Sequence, residues 1–153
     1  CYIANDNSIG QVVVSGSSKS LDDFSLQLSK NKIKFLKLPV SAPFHCPLMK
    51  KATNEMTDRI MTAKFHNPSI DIVSNVTAEP HNKSDDIKRL LVEQIEKPVR
   101  WRESVNNMIE LGVEHFIEIG PGKVLSGLIK RINRNAKVNQ VNNLTEVNNL
   151  INV

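Results

Sequence analysis

Val40-Ser41-Ala42-Pro43-Phe44-His45-Cys46-Pro47-Leu48-Met49 is the stretch from which the rest of the chain is read, because it sets a histidine at the mouth of a well-marked helix. Downstream of it Leu48, Ala52, Met56 and Ile60 recur every four residues, with Lys50, Lys51, Asn54, Glu55 and Asp58 between them. That is an apolar stripe on an otherwise polar helix. Pro47 suits the first helical position, where its missing N–H removes no bond and its fixed φ is already helical. Cys46 then falls near the N-cap and His45 just outside the helix, where free N–H groups and the helix dipole disfavour added positive charge. An uncharged imidazole is what a general base requires. The alternative, on chemistry alone, is a histidine packed into a strand-to-helix loop between two prolines.

Upstream, Tyr2 to Ala4 and Gln11 to Ser15 read as short strands joined by a turn over Asn5 to Gly10, whose Asn, Asp, Ser and Gly favour bent backbone. Leu21, Phe24, Leu28 and Leu26 mark a helix from about Ser20 to Ser29 with Asp22 and Asp23 in its first turn, and Ile33 to Leu38 reads as a strand. Downstream, Pro68 breaks the helical pattern, and Ile70 to Val76 is apolar enough for a buried strand of a parallel sheet. Asn75 falls near its C-terminal end, where α/β sheets collect ligands, although an asparagine there is commonly a turn former. Ser84 is a candidate N-cap for a helix with Ile87, Leu90, Leu91 and Ile95 facing inward. That helix stops near Lys97, because Pro98 disfavours helical geometry before it and brings no N–H. Its last carbonyls are left free, and one of them is an acceptor able to hold the Nδ1–H of His45, leaving Nε2 as the base. A helix from Glu103 to Leu111 ends at Gly112, followed by a strand at Val113 to Ile119. Gly120-Pro121-Gly122-Lys123 turns into a further helix, at whose start a phosphate can sit, although a tight turn explains the glycines as well. Its spacing is not that of a P-loop. Lys130 and Arg131 complement the dipole at its far end. Ala136 to Val141 is the last strand and Leu144 to Ile151 a terminal helix.

With 153 residues, 40% hydrophobic and 24% charged, the composition is that of a globular chain with a real core. No apolar run is long enough to cross a bilayer, and the first residues lack the basic start and apolar centre of a secretory signal, so a cytoplasmic setting is expected. Two cysteines, Cys1 and Cys46, make no disulfide framework, and His45, His66, His81 and His115 have no metal-ligand spacing with them. The net charge of +4 suits an acidic partner, while 5% aromatic residues without basic interleaving argues against nucleic acid.

Four blocks, taken together, resemble the malonyl-CoA:acyl-carrier-protein transacylase family. They are Asn5 to Gly16, Val40 to Met49, Gln94 to Trp101 (Gln-Ile-Glu-Lys-Pro-Val-Arg-Trp) and Glu118 to Leu125, in the family's order and near its spacings. The resemblance covers essentially the whole chain. Yet members carry a serine nucleophile in a Gly-His-Ser-Leu-Gly elbow upstream of these blocks, and no Gly-x-Ser-x-Gly occurs in this sequence. The upstream glutamine near the oxyanion hole and the arginine that pairs with the malonyl carboxylate have no counterpart either. The chain therefore reads as the C-terminal half of such an enzyme.

The resemblance implies an α/β fold: residues 41–153 as the C-terminal part of an α/β-hydrolase-like acyltransferase domain with a parallel sheet. Residues 1–40 would be the latter part of an inserted ferredoxin-like subdomain, whose opening strand and helix would lie before Cys1. It implies His45 as the base, oriented by the backbone carbonyl of Gln94, and Asn5 and Asn7 as substrate contacts, to which the strand-end position adds Asn75; that Asn5 and Asn7 only shape a turn is the alternative. The reaction implied is malonyl transfer from malonyl-CoA to the phosphopantetheine thiol of acyl carrier protein in fatty-acid biosynthesis, with no bound cofactor and no metal. Trp101 is expected in the core or at a hinge. Cys46, adjacent to His45, is a poor partner for it, and Ser41 is not on an elbow. The isolated chain is expected to be inactive, and removal of a central nucleophile strand to leave apolar edges that a separate N-terminal half or self-association would cover. A rival reading is a non-catalytic remnant that binds acyl carrier protein through Lys30, Lys32, Lys34 and Lys37, residues that serve equally as solvated charge.

Overall fold

The computed structural model describes residues 1–151; residues 152 and 153, the end of the expected second domain, lie outside the described residues. Strands β1 (Tyr2–Ser8) and β2 (Gln11–Ser15) form an antiparallel hairpin turned by Ile9 and Gly10 alone, with Gly10 at φ 77°. Asn5 to Asn7 are thus strand residues, not the turn their composition suggested. Two irregularities in register, between Ile3 and Asn5 and between Asp6 and Ser8, let polar residues sit in the ladder. The other edge of β1 is occupied as well: the N–H of Val99 donates to Ala4 O at 2.8 Å and that of Asp6 to Val99 O at 2.9 Å, a parallel bridge.

Helix α1 (Ser18–Lys30) starts earlier than its aspartates imply, because the Ser17 hydroxyl caps it by accepting the N–H of Ser20 at 3.2 Å. No acidic residue lies in its first turn, and Asp22 instead pairs with Lys37. The strand expected at Ile33 to Leu38 does not form. Those residues have no ladder partner among the described residues, and Ile33, Phe35, Leu36 and Leu38 stand exposed. An apolar extended segment becomes a strand only when a neighbour takes up its N–H and C=O groups.

A 3-10 turn at Pro47–Met49 leads into α2 (Lys50–Thr62), with Cys46 as N-cap and Pro47 opening the helical geometry. The face that α2 turns inward is rotated from the expected stripe: Thr53 is buried and Thr57 half-buried, while Leu48 and Met56 are exposed. Both threonine hydroxyls donate to carbonyls one turn back, Met49 and Thr53, so the buried polar groups are paired within the helix.

The buried parallel strand expected at Ile70 to Val76 is also corrected. Only β3 (Ile72–Val73) forms, antiparallel to β4 (Pro80–His81), with Ile70 and Ile72 exposed. The chain reverses directly after Val73, because Ala78 N–H donates to Ser74 O at 2.8 Å and Ser74 N–H to Glu79 O at 3.0 Å. Helix α3 (Ser84–Glu93) packs on α2; its N-cap is Lys83 rather than Ser84, and the Ser84 N–H is taken at 2.9 Å by the Asn67 side chain from another part of the chain. Helix α4 (Trp101–Glu110) begins at Trp101, before the expected Glu103, and ends ahead of Gly112, whose φ of 92° marks the C′ position.

The remaining unit, β5 (His115–Ile119), α5 (Val124–Ile132) and β6 (Lys137–Val141), is a strand-helix-strand crossover with β5 and β6 parallel, followed by α6 (Leu144–Ile151). The protein is thus α/β with a parallel pair of strands. Val105, Phe116, Ile129 and Ala136 form the buried centre, ringed by Trp101, Met108, Ile109, Val113, Ile132 and Val138. Alternation along β5 buries Phe116 and leaves Ile117 and Ile119 45% and 80% exposed, so one side of this layer is apolar and uncovered.

Candidate functional site

Three of the five residues singled out in the sequence meet at one place. The Nδ1 of His45 lies 2.8 Å from the main-chain oxygen of Gln94. A carbonyl only accepts, so the ring carries a proton on Nδ1, and in the neutral imidazole Nε2 is then the unprotonated nitrogen. The acceptor is available for a reason written in the chain. Gln94 is the C-cap of α3, and a continuing helix would bring the N–H of residue 98 to its oxygen, but residue 98 is proline. The carbonyls just before it are used locally, Leu90 by Gln94, Val92 by Ile95, and Glu93 by Glu96 and Lys97.

His45 reaches this oxygen from a backbone at φ 58°, in the left-handed region that few non-glycine residues occupy. The ring is half-buried. Cys46, wholly buried, directs its thiol to Pro43 O at 3.1 Å and so away from any pairing with the imidazole. Lys50 Nζ, at the start of α2, stands 3.7 Å from Glu96 Oε1, just past the end of α3, where the two helices pack together.

Asn75 joins the pair from the side: its Nδ2 donates to the Gln94 side-chain oxygen at 3.2 Å. Gln94 therefore faces His45 with its main chain and Asn75 with its side chain. Asn75 is fixed in turn by its own carbonyl, which accepts the N–H of Arg100 at 3.0 Å. Asn5 is connected through backbone only, as the bridge partner of Val99, the residue before Arg100. Asn7 lies farther along β1, beyond Asp6, and makes no side-chain hydrogen bond with this group among the described residues.

Two arginines lie near the site, and both are engaged. Arg102 gives Nε and Nη2 to one oxygen of Asp6, at 3.1 and 2.6 Å, pinning α4 to β1 between the two asparagines. Arg100 is tied to Glu103 and to backbone carbonyls of residues 76 and 77. The sequence flagged Arg100 only as a member of its block; the one signal for its pairing is the Arg–Glu spacing of three.

The helix start at Val124 is not open to a phosphate. The Glu118 carboxylate already accepts the N–H groups of Leu125 and Ser126, at 3.0 and 2.8 Å, together with the Ser126 hydroxyl. Partial burial pushes this carboxyl up, and the bonds from Ser126 and Leu125 outweigh it, so it titrates below the usual glutamate range. Lys130 and Arg131 are exposed at the other end of α5. No group of three or more His, Cys, Asp or Glu residues that could hold a metal occurs among the described residues, and no described helix is long and apolar enough to cross a membrane.

Residues 1–149 match the family model described as Acyl transferase domain. Over 136 residues the chain is 43% identical to the malonyl CoA-acyl carrier protein transacylase of Bacillus subtilis, covering 88% of this chain and 43% of that protein. The protein of the same description from Staphylococcus aureus is 39% identical over 148 residues, covering 94% of this chain and 47% of its own length. The chain therefore spans about half the length of the curated relatives it matches. Among solved structures, the acyl-carrier-protein-S-malonyltransferase from Bartonella henselae superposes with a TM-score of 0.93 at 38% identity, over 99% of this chain and 49% of that one. Another, a type II PKS acyl-carrier protein in complex with its malonyl-transacylase, gives 0.89 at 36% identity, over 99% and 50%.

Proposed function

The chain belongs to the acyl transferase domain family, and from that premise we propose that it supplies the base half of a malonyl-CoA:acyl-carrier-protein transacylase. The observation that carries this reading is the 2.8 Å approach of His45 Nδ1 to the Gln94 carbonyl, which leaves Nε2 free to take a proton. Residues 41–153 are read as the C-terminal part of an α/β-hydrolase-like domain, and residues 1–40 as the remainder of a ferredoxin-like subdomain.

In the reaction, Nε2 of His45 takes the proton of a serine hydroxyl that polypeptide outside this sequence provides. The serine oxygen bonds to the thioester carbon, the C–S bond breaks, and coenzyme A leaves as a thiol carrying that proton. In the second half the phosphopantetheine thiol gives its proton to Nε2 and attacks the acyl-serine, and the serine oxygen departs with the proton. Asn5, Asn7 and Asn75 contact the substrate, and no bound cofactor takes part. A cytoplasmic setting goes with these substrates. The exposed Ile117 and Ile119 support a companion polypeptide, or a second copy, covering the open side of β5, and Leu36 is a separate exposed apolar side chain.

The test mixes the purified chain with the N-terminal half of the Bacillus subtilis relative and follows labelled malonyl passing from malonyl-CoA to holo-acyl carrier protein. Transfer by the pair but not by the chain alone is expected; turnover by the chain alone refutes the reading.

A second reading, a non-catalytic module that binds acyl carrier protein, draws on one observation. Lys30, Lys32, Lys34 and Lys37 are all exposed, and among the described residues only Lys37 is in an ion pair. Salt-sensitive binding of carrier protein without transfer, even with the serine-bearing half present, selects it.

A further inference from the structure

We infer that Arg100 is a positioning residue for the His45 base, acting through the turn at residues 75–77 and the Gln94 side chain; the inference rests on the base role proposed above. One residue takes three consecutive carbonyls. The Arg100 main-chain N–H donates to Asn75 O at 3.0 Å, and its Nη1 donates to Val76 O at 3.2 Å and to Thr77 O at 3.0 Å. Its Nε and Nη2 go to the two oxygens of Glu103, which fixes the plane of the guanidinium.

An arginine that only stabilised the start of α4 would need the Glu103 pair and no more. An arginine that read a substrate carboxylate would keep one edge of its fork free, and this one does not. What the remaining bonds accomplish is to fix the segment that carries Asn75. With its carbonyl held by Arg100, Asn75 presents Nδ2 to Gln94 Oε1 at 3.2 Å, and Gln94 presents its own carbonyl to His45 at 2.8 Å. The same turn is braced from α4 a second time by Asn107, whose Nδ2 donates to Ala78 O at 3.1 Å. Ala78 is fully buried at φ 62°, so the turn has one defined conformation to hold.

Loss of the guanidinium leaves the part-buried carbonyls of residues 76 and 77 without that donor, and the turn shifts to find others. Asn75 then loses its aim at Gln94, and the carbonyl that selects the Nδ1–H tautomer of His45 is less firmly placed.

The experiment uses the whole chain, labelled with 15N, and reads the tautomer of His45 from imidazole nitrogen shifts at a pH above the imidazole titration. His115, whose Nε2 pairs with the Asn139 side chain at 2.7 Å in the β5–β6 layer, is the internal control. In the unmodified chain His45 is expected as Nδ1–H. In Arg100→Met the population of its Nε2–H form rises by about threefold, the effect of weakening one neutral hydrogen bond, with His115 unchanged. An unchanged His45 signature in a folded Arg100→Met chain overturns the inference. Should that variant not fold, Asn75→Ala cuts the same connection at its next step; the same rise supports the inference and no change overturns it. A His45 already in the Nε2–H form in the unmodified chain overturns the base reading itself.

Discussion

The imidazole of His45 and the main chain of Gln94 meet at 2.8 Å across 49 positions of sequence, joining the loop before α2 to the end of α3. Because the acceptor is a backbone oxygen, the identity of side chain 94 and the orientation of the ring are largely separable. In the two-part transfer reaction, His45→Ala should lower kcat by about 100- to 10,000-fold, the usual contribution of a general base. Gln94→Ala should lower it by only about threefold, through loss of the Asn75 bond. A loss in Gln94→Ala as large as that in His45→Ala, with an unchanged amide spectrum, would show that the side chain and not the carbonyl does the orienting.

Glu118 gives a pH-dependent term in stability. Its folded-state pKa lies below the ordinary glutamate value, so its stabilisation is fully present above that value and is lost as pH falls through the lower, folded-state value. Glu118→Gln should therefore be less stable than the unmodified chain near neutrality, and the gap between their urea midpoints should close on acidification through the carboxylate range. A gap that stays constant with pH would mean that the carboxylate's charge contributes nothing to holding the start of α5.

The core makes a sharper demand than the surface. Val105 has no exposed surface and packs against Phe116, Ile129 and Ala136. Val105→Ala should destabilise the chain by about 2 kcal/mol in urea unfolding, from two buried methyl groups and the space they leave. Ile9→Ala, at a side chain 82% exposed in the β1–β2 turn, should change it by less than about 0.5 kcal/mol.

Leu36, 83% exposed on a segment with no ladder partner among the described residues, and Ile119 on the open side of β5 leave apolar surface to be covered. Light scattering of the purified chain should give a mass above that of the monomer, and the double variant Leu36→Lys, Ile119→Lys should shift it towards the monomer. A compact monomer in the unmodified chain would count against the covering role assigned to these residues.

Local patterns served well where the structure is local. Pro47 at the opening of a helix and Gly112 just past one could be read from the residues, because each follows from one residue's φ preference, whereas α3, expected to run to about Lys97 before Pro98, closes sooner, at Glu93 with Gln94 as its C-cap. Pairing was the harder part. Ile33 to Leu38 and Ile70 to Val76 have strand composition, but a ladder is a property of two segments, and composition does not name the second. The polar run Asn5 to Asn7 looked like a turn and is a strand, because Val12 and Val13 pair with Asp6 and Asn5 across a hairpin that reverses only at Ile9 and Gly10, and polar composition does not report that pairing. At the site, a free carbonyl at the end of α3 could be proposed for His45 from helix-end chemistry, and the family resemblance singled out that of Gln94. The Asn75 to Gln94 bond and the Arg100 contacts could not, since they depend on how the turn after β3 lies against α4.

Pro98 has a consequence at a distance from its own side chain. A substitution there by any ordinary amino acid would hand the α3 terminus one more amide proton, and that proton would compete with the imidazole for the oxygen of Gln94. A variant could thus disturb the ring without altering either member of the bond, and a survey confined to residues touching His45 would overlook the position responsible.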